Sequence, residues 1–169
     1  MVTCCALLGA FLPDLSLYVL AGVSIFWMDI PPQQVFDVLY YSSSWQQVFA
    51  IDNSFVLWGV GLAIAIWRKA TWAIALCGAA LLHLALDFPV HTHDARMHFW
   101  PISDWRFISP YSYWDQSHGG HIIGTIEIVL VILLAGYLIW NFKDRWLRLA
   151  FAALALLQVA QFLIWRLVF

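Results

Sequence analysis

The chain has 169 residues, is 63% hydrophobic and only 11% charged, and has a mean hydropathy of +0.80. That composition lies far outside the soluble range and predicts an all-α integral membrane protein, one transmembrane domain of about five spans surrounded by membrane lipids. A net charge of −2 and the lack of a basic patch give no electrostatic basis for nucleic-acid binding.

The expected spans run over about 2–28, 48–67, 71–87, 121–142 and 146–169, with outer loops at 29–47 and 88–120. The first apolar run lacks the basic flank of a signal peptide and carries Pro13 and Asp14, so it reads as a retained span. The chain opens already inside that run, which suggests a start further upstream. Cys4, Cys5 and Cys77 have no zinc-knuckle spacing and read as buried thiols.

Pro31-Pro32 stops the first helix, and QQVFDVLYY reads as a short interfacial helix with Phe36, Leu39, Tyr40 and Trp45 toward lipid. The clean part of the second span, 55–67, is only ~20 Å of helix. Spanning therefore draws Asp52-Asn53-Ser54, a good N-cap set, below the surface. The third span is rich in small residues (Ala73, Ala75, Gly78, Ala79, Ala80) that permit close helix packing. His83 and Asp87 near its end lie four apart, on one face. The long loop after it carries Phe99, Trp100, Trp105, Phe107, Tyr111, Tyr113 and Trp114 and is expected to be an ordered cap at the interface. Its His91, His93 and His98 read as solvated, and Asp104 and Asp115 as turn and cap residues. The fourth span is interrupted by Glu127; the fifth carries Arg148, Gln158, Gln161 and Arg166.

Arg68 and Lys69 come after span two, and Lys143 and Arg145 after span four, whereas the loop after span one has no basic residue. By the positive-inside rule the His-rich loop faces the non-cytoplasmic side.

Helix rise then compares depths. Asp14 stands ~18 Å above Val2, Asn53 ~21 Å above Trp67, His83 ~18 Å above Thr71 and Glu127 ~22 Å above Phe142. Four polar positions from four spans thus share a level, at a depth where each ionisable group costs roughly 2.5–3.5 kcal/mol unless it is paired, wet or bound. A divalent metal is one partner that would hold them. His83, Asp87 and Asp14 are candidate ligands, His118 and His121 could add others, and imidazole with carboxylate suits zinc, iron or manganese. Such a site could activate water to cleave an ester or amide, with Glu127 or Asp52 as base. The competing reading makes His83 a core histidine bonded to Asp14 or Glu127 with no metal.

LPDLS at 12–16, LLHLALD at 81–87 and FWPISDWRF at 99–107 together resemble the small bacterial multi-span proteins known as membrane-bound metal-dependent hydrolases, over roughly residues 9 to 107. The resemblance implies a helical membrane fold, a bacterial inner-membrane location and a zinc-type site on Asp14, His83 and Asp87. The family's usual H-R-G-x-T-H-S-like segment before its second span is replaced here by AIDNSFVLW, and its common N-terminal histidine is absent. Asp52, with His118 or His121, would have to replace those ligands. The chain looks closer to a divergent branch sometimes labelled a cobalamin-biosynthesis protein. The alternative function is a non-catalytic subunit or assembly partner of a larger membrane complex, reached through the broad Trp- and Phe-rich flanks. Haem binding ranks last, since only His83 lies clearly within a span.

Overall fold

The computed structural model describes the backbone of residues 1–168 and the side chains of residues 1–160 and 163, and it is all-helical among them. Helix α1 spans Val2–Gly22 and runs on as a π-helical turn, Val23–Trp27. Helix α2 is the short Pro32–Gln34, extended by a second π turn, Val35–Leu39. The remaining helices are α3, Ser43–Asp52; α4, Phe55–Trp67; α5, Thr71–Asp87; α6, Gly120–Asn141; and α7, Arg145–Val168.

Four stretches among the described residues are long and apolar enough to cross a membrane: Val2–Trp27, Ser43–Trp67, Thr71–Val90 and Gly120–Asn141. Their outward faces are hydrocarbon. On α6 alone Ile122, Ile126, Val129, Leu130, Ile132 and Leu133 are exposed, which suits lipid and not water. The fifth expected span coincides with α7. Its Gln161 and Arg166 side chains, and Phe169, lie outside the described residues.

Two compact units divide the chain, Met1–Ser109 and Pro110–Phe169. The long loop expected as one cap is therefore shared between them. In the first unit α5 packs on α1 and α4, and α3 packs on α1. The α1–α5 approach is close at Gly9, where an added Cβ would sit 2.0 Å from the Leu76 carbonyl oxygen. The small residue that lets this pair close is thus on α1, not only in the Ala-rich stretch of α5. Cys77 is buried as expected, but Cys4 is exposed.

The second span begins at Ser43, earlier than expected, and is a broken helix. Asn53 and Ser54 interrupt it and are almost wholly buried. Ser54 caps α4 by accepting the Leu57 N–H at 3.0 Å. The loop satisfies the remaining broken ends. His98 Nδ1 lies 2.9 Å from the Asn53 carbonyl, the His98 carbonyl accepts the Phe55 N–H at 2.8 Å, and Ser54 Oγ donates to the Trp100 carbonyl. Unpaired backbone at this depth would cost several kcal/mol per group, about as much as a whole buried side chain returns.

The interfacial segment also differs from expectation. Tyr40 and Trp45 turn inward rather than toward lipid, packing with Val35 and Phe49 against Ala21 of α1, while Phe36 stays exposed. The Arg96 guanidinium supplies the reason, since it lies over the rings of both Tyr40 and Phe49 and draws them under the loop. Beside this core, Phe55, Phe88, His98, Phe99, Trp105 and Phe107 form a continuous ring cluster, so the first part of the loop is folded.

In the second unit Asp115 caps a 3-10 turn, Gln116–His118, and Gly119, with φ of +78°, opens α6 from the left-handed region that favours glycine. Helix α6 packs on α7. Asp144 caps α7, accepting the Trp146 and Leu147 N–H groups at 2.9 Å each.

Replacing Gly9 by Ala should push α1 off α5 and cost about 1–3 kcal/mol. Thermal unfolding in detergent measures it, and an unchanged midpoint would mean that the two helices do not approach this closely.

Candidate functional site

The run HLALDFPVH places His83, Asp87 and His91 four apart. Pro89 ends the α-helix, but a 3-10 turn over Phe88–Val90 carries the chain round so that His91 still reaches back to Asp87. Asp14 comes from α1, brought in by the close α1–α5 packing.

The result is a string of alternating carboxylates and imidazoles within the first unit. His83 Nε2 lies 3.6 Å from Asp14 Oδ2 and 3.5 Å from Asp87 Oδ2. Asp87 Oδ2 is 3.1 Å from His91 Nε2, and His91 Nδ1 is 2.7 Å from Asp94 Oδ2. The Thr92 N–H donates to the other Asp94 oxygen at 3.1 Å. Asn53 Nδ2 donates to the carbonyl of Pro13, immediately before Asp14, at 3.1 Å, and to the carbonyl of Phe49 at 3.0 Å.

The two ends of the string differ. At the loop end the contacts are short, direct hydrogen bonds, and His91 and Asp94 are buried. At the membrane end Asp14, His83 and Asp87 are partly exposed and their contacts are longer than hydrogen bonds. His83 Nε2 is itself buried and has no hydrogen-bond partner among the described residues. The ligand atoms of Asp14, His83 and Asp87 all lie within 4.8 Å of one another. A tetrahedral centre with bonds of ~2.0–2.1 Å has ligand–ligand edges of about 3.3–3.4 Å. The two His83–carboxylate separations come within about 0.3 Å of that edge, so His83 stands near the tetrahedral spacing from each of the two carboxylates.

Burial alone would push the His91 imidazole down, but its hydrogen bonds to Asp87 and Asp94 outweigh it and raise the pKa to about 9. His98 goes the other way: burial lowers it, and its bond to the Asn53 carbonyl offsets this only in part. The expectation of solvated loop histidines therefore fails for His91 and His98, which are both buried; His93 is exposed. The signal in the sequence that points to His91 is the continuing four-residue spacing from Asp87, together with His91-x-x-Asp94.

The other expected site residues are described within their own units. Asp52 ends α3 beside Asn53 in the first unit, is half-buried, and gives its backbone carbonyl to Trp58 Nε1 at 2.7 Å. Glu127 is in the second unit, where Gln158 of α7 donates to it at 2.6 Å. His118, also in the second unit, pairs through Nδ1 with Asp115 Oδ2 at 2.8 Å. His121 is exposed in the first turn of α6. Hydrogen bonds from Ser117 and His118 hold the Asp115 carboxyl down at about 2.

Because His91 is raised above its ordinary 6.5, its ion pairs stabilise the fold fully below about pH 6.5, and that contribution disappears as pH rises through about 9. In chelator-treated protein the unfolding temperature should fall across this window, and His91→Gln should flatten the profile. Parallel curves for the two proteins would show that His91 carries no such charge.

Comparison with protein-family models, with curated proteins and with solved structures finds no match for this chain.

Proposed function

We propose that the chain is a bacterial inner-membrane protein with a metal-dependent hydrolytic site, acting on a lipid-like or amphipathic substrate at the non-cytoplasmic face. The observation that carries this reading is His83 Nε2, buried and without a hydrogen bond, facing two carboxylate oxygens at close to tetrahedral edge spacing. Asp14, His83 and Asp87 would hold the cation, and one imidazole with two carboxylates suits zinc. When bound, such a cation polarises an ester or amide carbonyl and lowers the pKa of water.

The protein's own residues do the rest. His91 hydrogen-bonds Asp87 and is fixed in turn by Asp94, so Asp87 is held in one orientation. Asn53 ties the Pro13 turn to the broken span and keeps Asp14 at its depth. Asp52 is the candidate base that the first unit itself offers. The resemblance to the membrane-bound metal-dependent hydrolases points the same way through LPDLS, LLHLALD and WPIS.

A metal-free reading draws on the same distances: a protonated His83 between Asp14 and Asp87 would make the string a purely structural ion-pair network, as a non-catalytic subunit could use. Metal analysis of the purified protein after zinc incubation separates the two. Wild type should retain about one divalent ion, His83→Ala should lose it, and Asp14→Asn should bind at least about tenfold more weakly, as loss of a charged ligand implies. Wild-type protein with no metal above background would leave only the structural network.

The expected sidedness is tested by cysteine labelling from outside the cell in a background lacking Cys4, Cys5 and Cys77. A cysteine at Ile102, which is 79% exposed, should react, and one at Ala70 should not. The reverse pattern would invert the topology.

A further inference from the structure

Among the described residues, the buried side-chain atoms without hydrogen-bond partners are Ser16 Oγ, Asn53 Oδ1, His83 Nε2, Thr92 Oγ1 and Arg96 Nη1. All lie in the first unit, and four of the five residues belong to or adjoin the carboxylate–imidazole string. His83 is a member, Asn53 bonds the residue before Asp14, the Thr92 N–H bonds Asp94, and Arg96 lies two residues beyond Asp94. Buried polar groups are otherwise almost always satisfied, so such a concentration marks a place that takes a polar ligand or water.

Arg96 stands apart within this set because it is always charged. The residue is 4% exposed. Its guanidinium lies 4.2 Å from the Phe49 ring centroid and 4.9 Å from that of Tyr40. The rings stabilise its charge, and Nη1 has no hydrogen-bond partner among the described residues. Its position is tied to the site twice. Phe49, beneath it, gives its carbonyl to Asn53, which also holds the Pro13–Asp14 turn. On the other side, the turn from Thr92 to Ala95, closed by the Ala95 N–H on the Thr92 carbonyl at 3.2 Å, joins Arg96 to Asp94 and so to His91 and Asp87.

We infer that Arg96 anchors an oxyanion, with the Thr92 hydroxyl as an accessory donor, and that the amphipathic molecule received beside Asp14, His83 and Asp87 carries a phosphoryl group. Arg96 Nη1 is buried and lacks a hydrogen-bond partner, and a planar guanidinium fork is the group that phosphate oxygens accept from in bidentate fashion. A neutral ester would offer the unpaired Nη1 no charge-assisted hydrogen bond. Asn53 Oδ1 can only accept, and it suits a hydroxyl of the ligand or a water. The inference rests on the proposed hydrolytic site for the identity of the bond that reacts, but the contact between Arg96 and the anion does not depend on a metal.

The test uses the full chain in maltoside detergent, with binding measured by calorimetry both with zinc and with chelator. The probes are inorganic phosphate, dihexanoyl phosphatidic acid and uncharged dihexanoylglycerol. Wild type should bind the phosphatidic acid in preference to the uncharged lipid. Arg96→Gln should weaken that binding at least about tenfold, the size of one charge-assisted hydrogen bond, while leaving zinc content unchanged. Arg96→Lys, which keeps the charge and loses the fork, should fall between. Inorganic phosphate binding as tightly as the lipid supports the oxyanion site and assigns its source to free phosphate. Equal binding of charged and uncharged lipids by wild type, or wild-type affinity in Arg96→Gln, overturns the proposal and leaves Arg96 as a prop for Tyr40 and Phe49. If Arg96→Gln does not fold, Arg96→Lys decides, and wild-type affinity there overturns the bidentate contact. A wild type without zinc that still discriminates the lipids in chelator would fail the hydrolytic reading alone.

Discussion

A carboxylate drawn into hydrocarbon must be answered, and the first unit is arranged around the answer to Asp14. Insertion of such a group costs roughly 2.5–3.5 kcal/mol, a large share of the 5–15 kcal/mol that separates a folded domain from its unfolded chain. Asp14 meets the His83 ring across the close α1–α5 pair, where Gly9 lets α1 close on Leu76 of α5. His83 in turn faces Asp87, and Asp87 takes the hydrogen bond of His91. Each added partner is itself polar and needs its own, so the string extends until it reaches Asp94, whose second oxygen is satisfied by a backbone N–H. The need to compensate one buried charge thus propagates from the middle of α1 into the loop.

The break in the second span obeys the same logic with backbone groups in place of charges. Asn53 and Ser54 leave the helix so that the Asn53 amide can hold the Pro13 carbonyl. The freed N–H and C=O groups then need partners at a depth without water, and His98 provides them for the Asn53 carbonyl and the Phe55 N–H, while the Ser54 hydroxyl donates to the Trp100 carbonyl. The loop is therefore not a lid laid over finished helices. It completes the hydrogen bonding of a span, and its ring cluster around Phe88 and His98 shields those bonds. Broken spans of this kind are a recurrent way to line a polar site inside a membrane.

Much of this is legible in the sequence because depth along a helix is a simple count. The levels of Asp14, His83 and Asn53 come from a 1.5 Å rise, and in the structure Asp14 meets His83 while Asn53 holds the adjoining turn. The same count puts Glu127 on that level, and within the second unit Gln158 of α7 donates to it. Depth is one coordinate, and a count along a helix does not find Gln158. The loop histidines are hidden for a different reason. Composition treats a loop as solvated, whereas His91 and His98 are consumed by Asp87, Asp94 and the broken span. The inward turn of Tyr40 and Trp45 is not legible either, because it depends on Arg96, which is far from Tyr40 in sequence, arriving over the rings.

The string also carries a charge imbalance that bears on what occupies it. Asp14, Asp87 and Asp94 bring three carboxylates; Arg96 and a protonated His91 bring two cations. One negative charge remains at the membrane end, where His83 Nε2 has no hydrogen bond. A proton on His83 or a divalent cation beside it can supply the missing charge, but both claim the same nitrogen. Proton and metal therefore compete at one atom, and metal affinity must fall as His83 protonates. The two cations leave the string in different states. A proton neutralises the string and closes it. A divalent ion leaves one positive charge in excess, and an oxyanion at Arg96 would balance it. The structural and the hydrolytic readings are in this sense two charge states of one arrangement, set apart by what binds at a single imidazole.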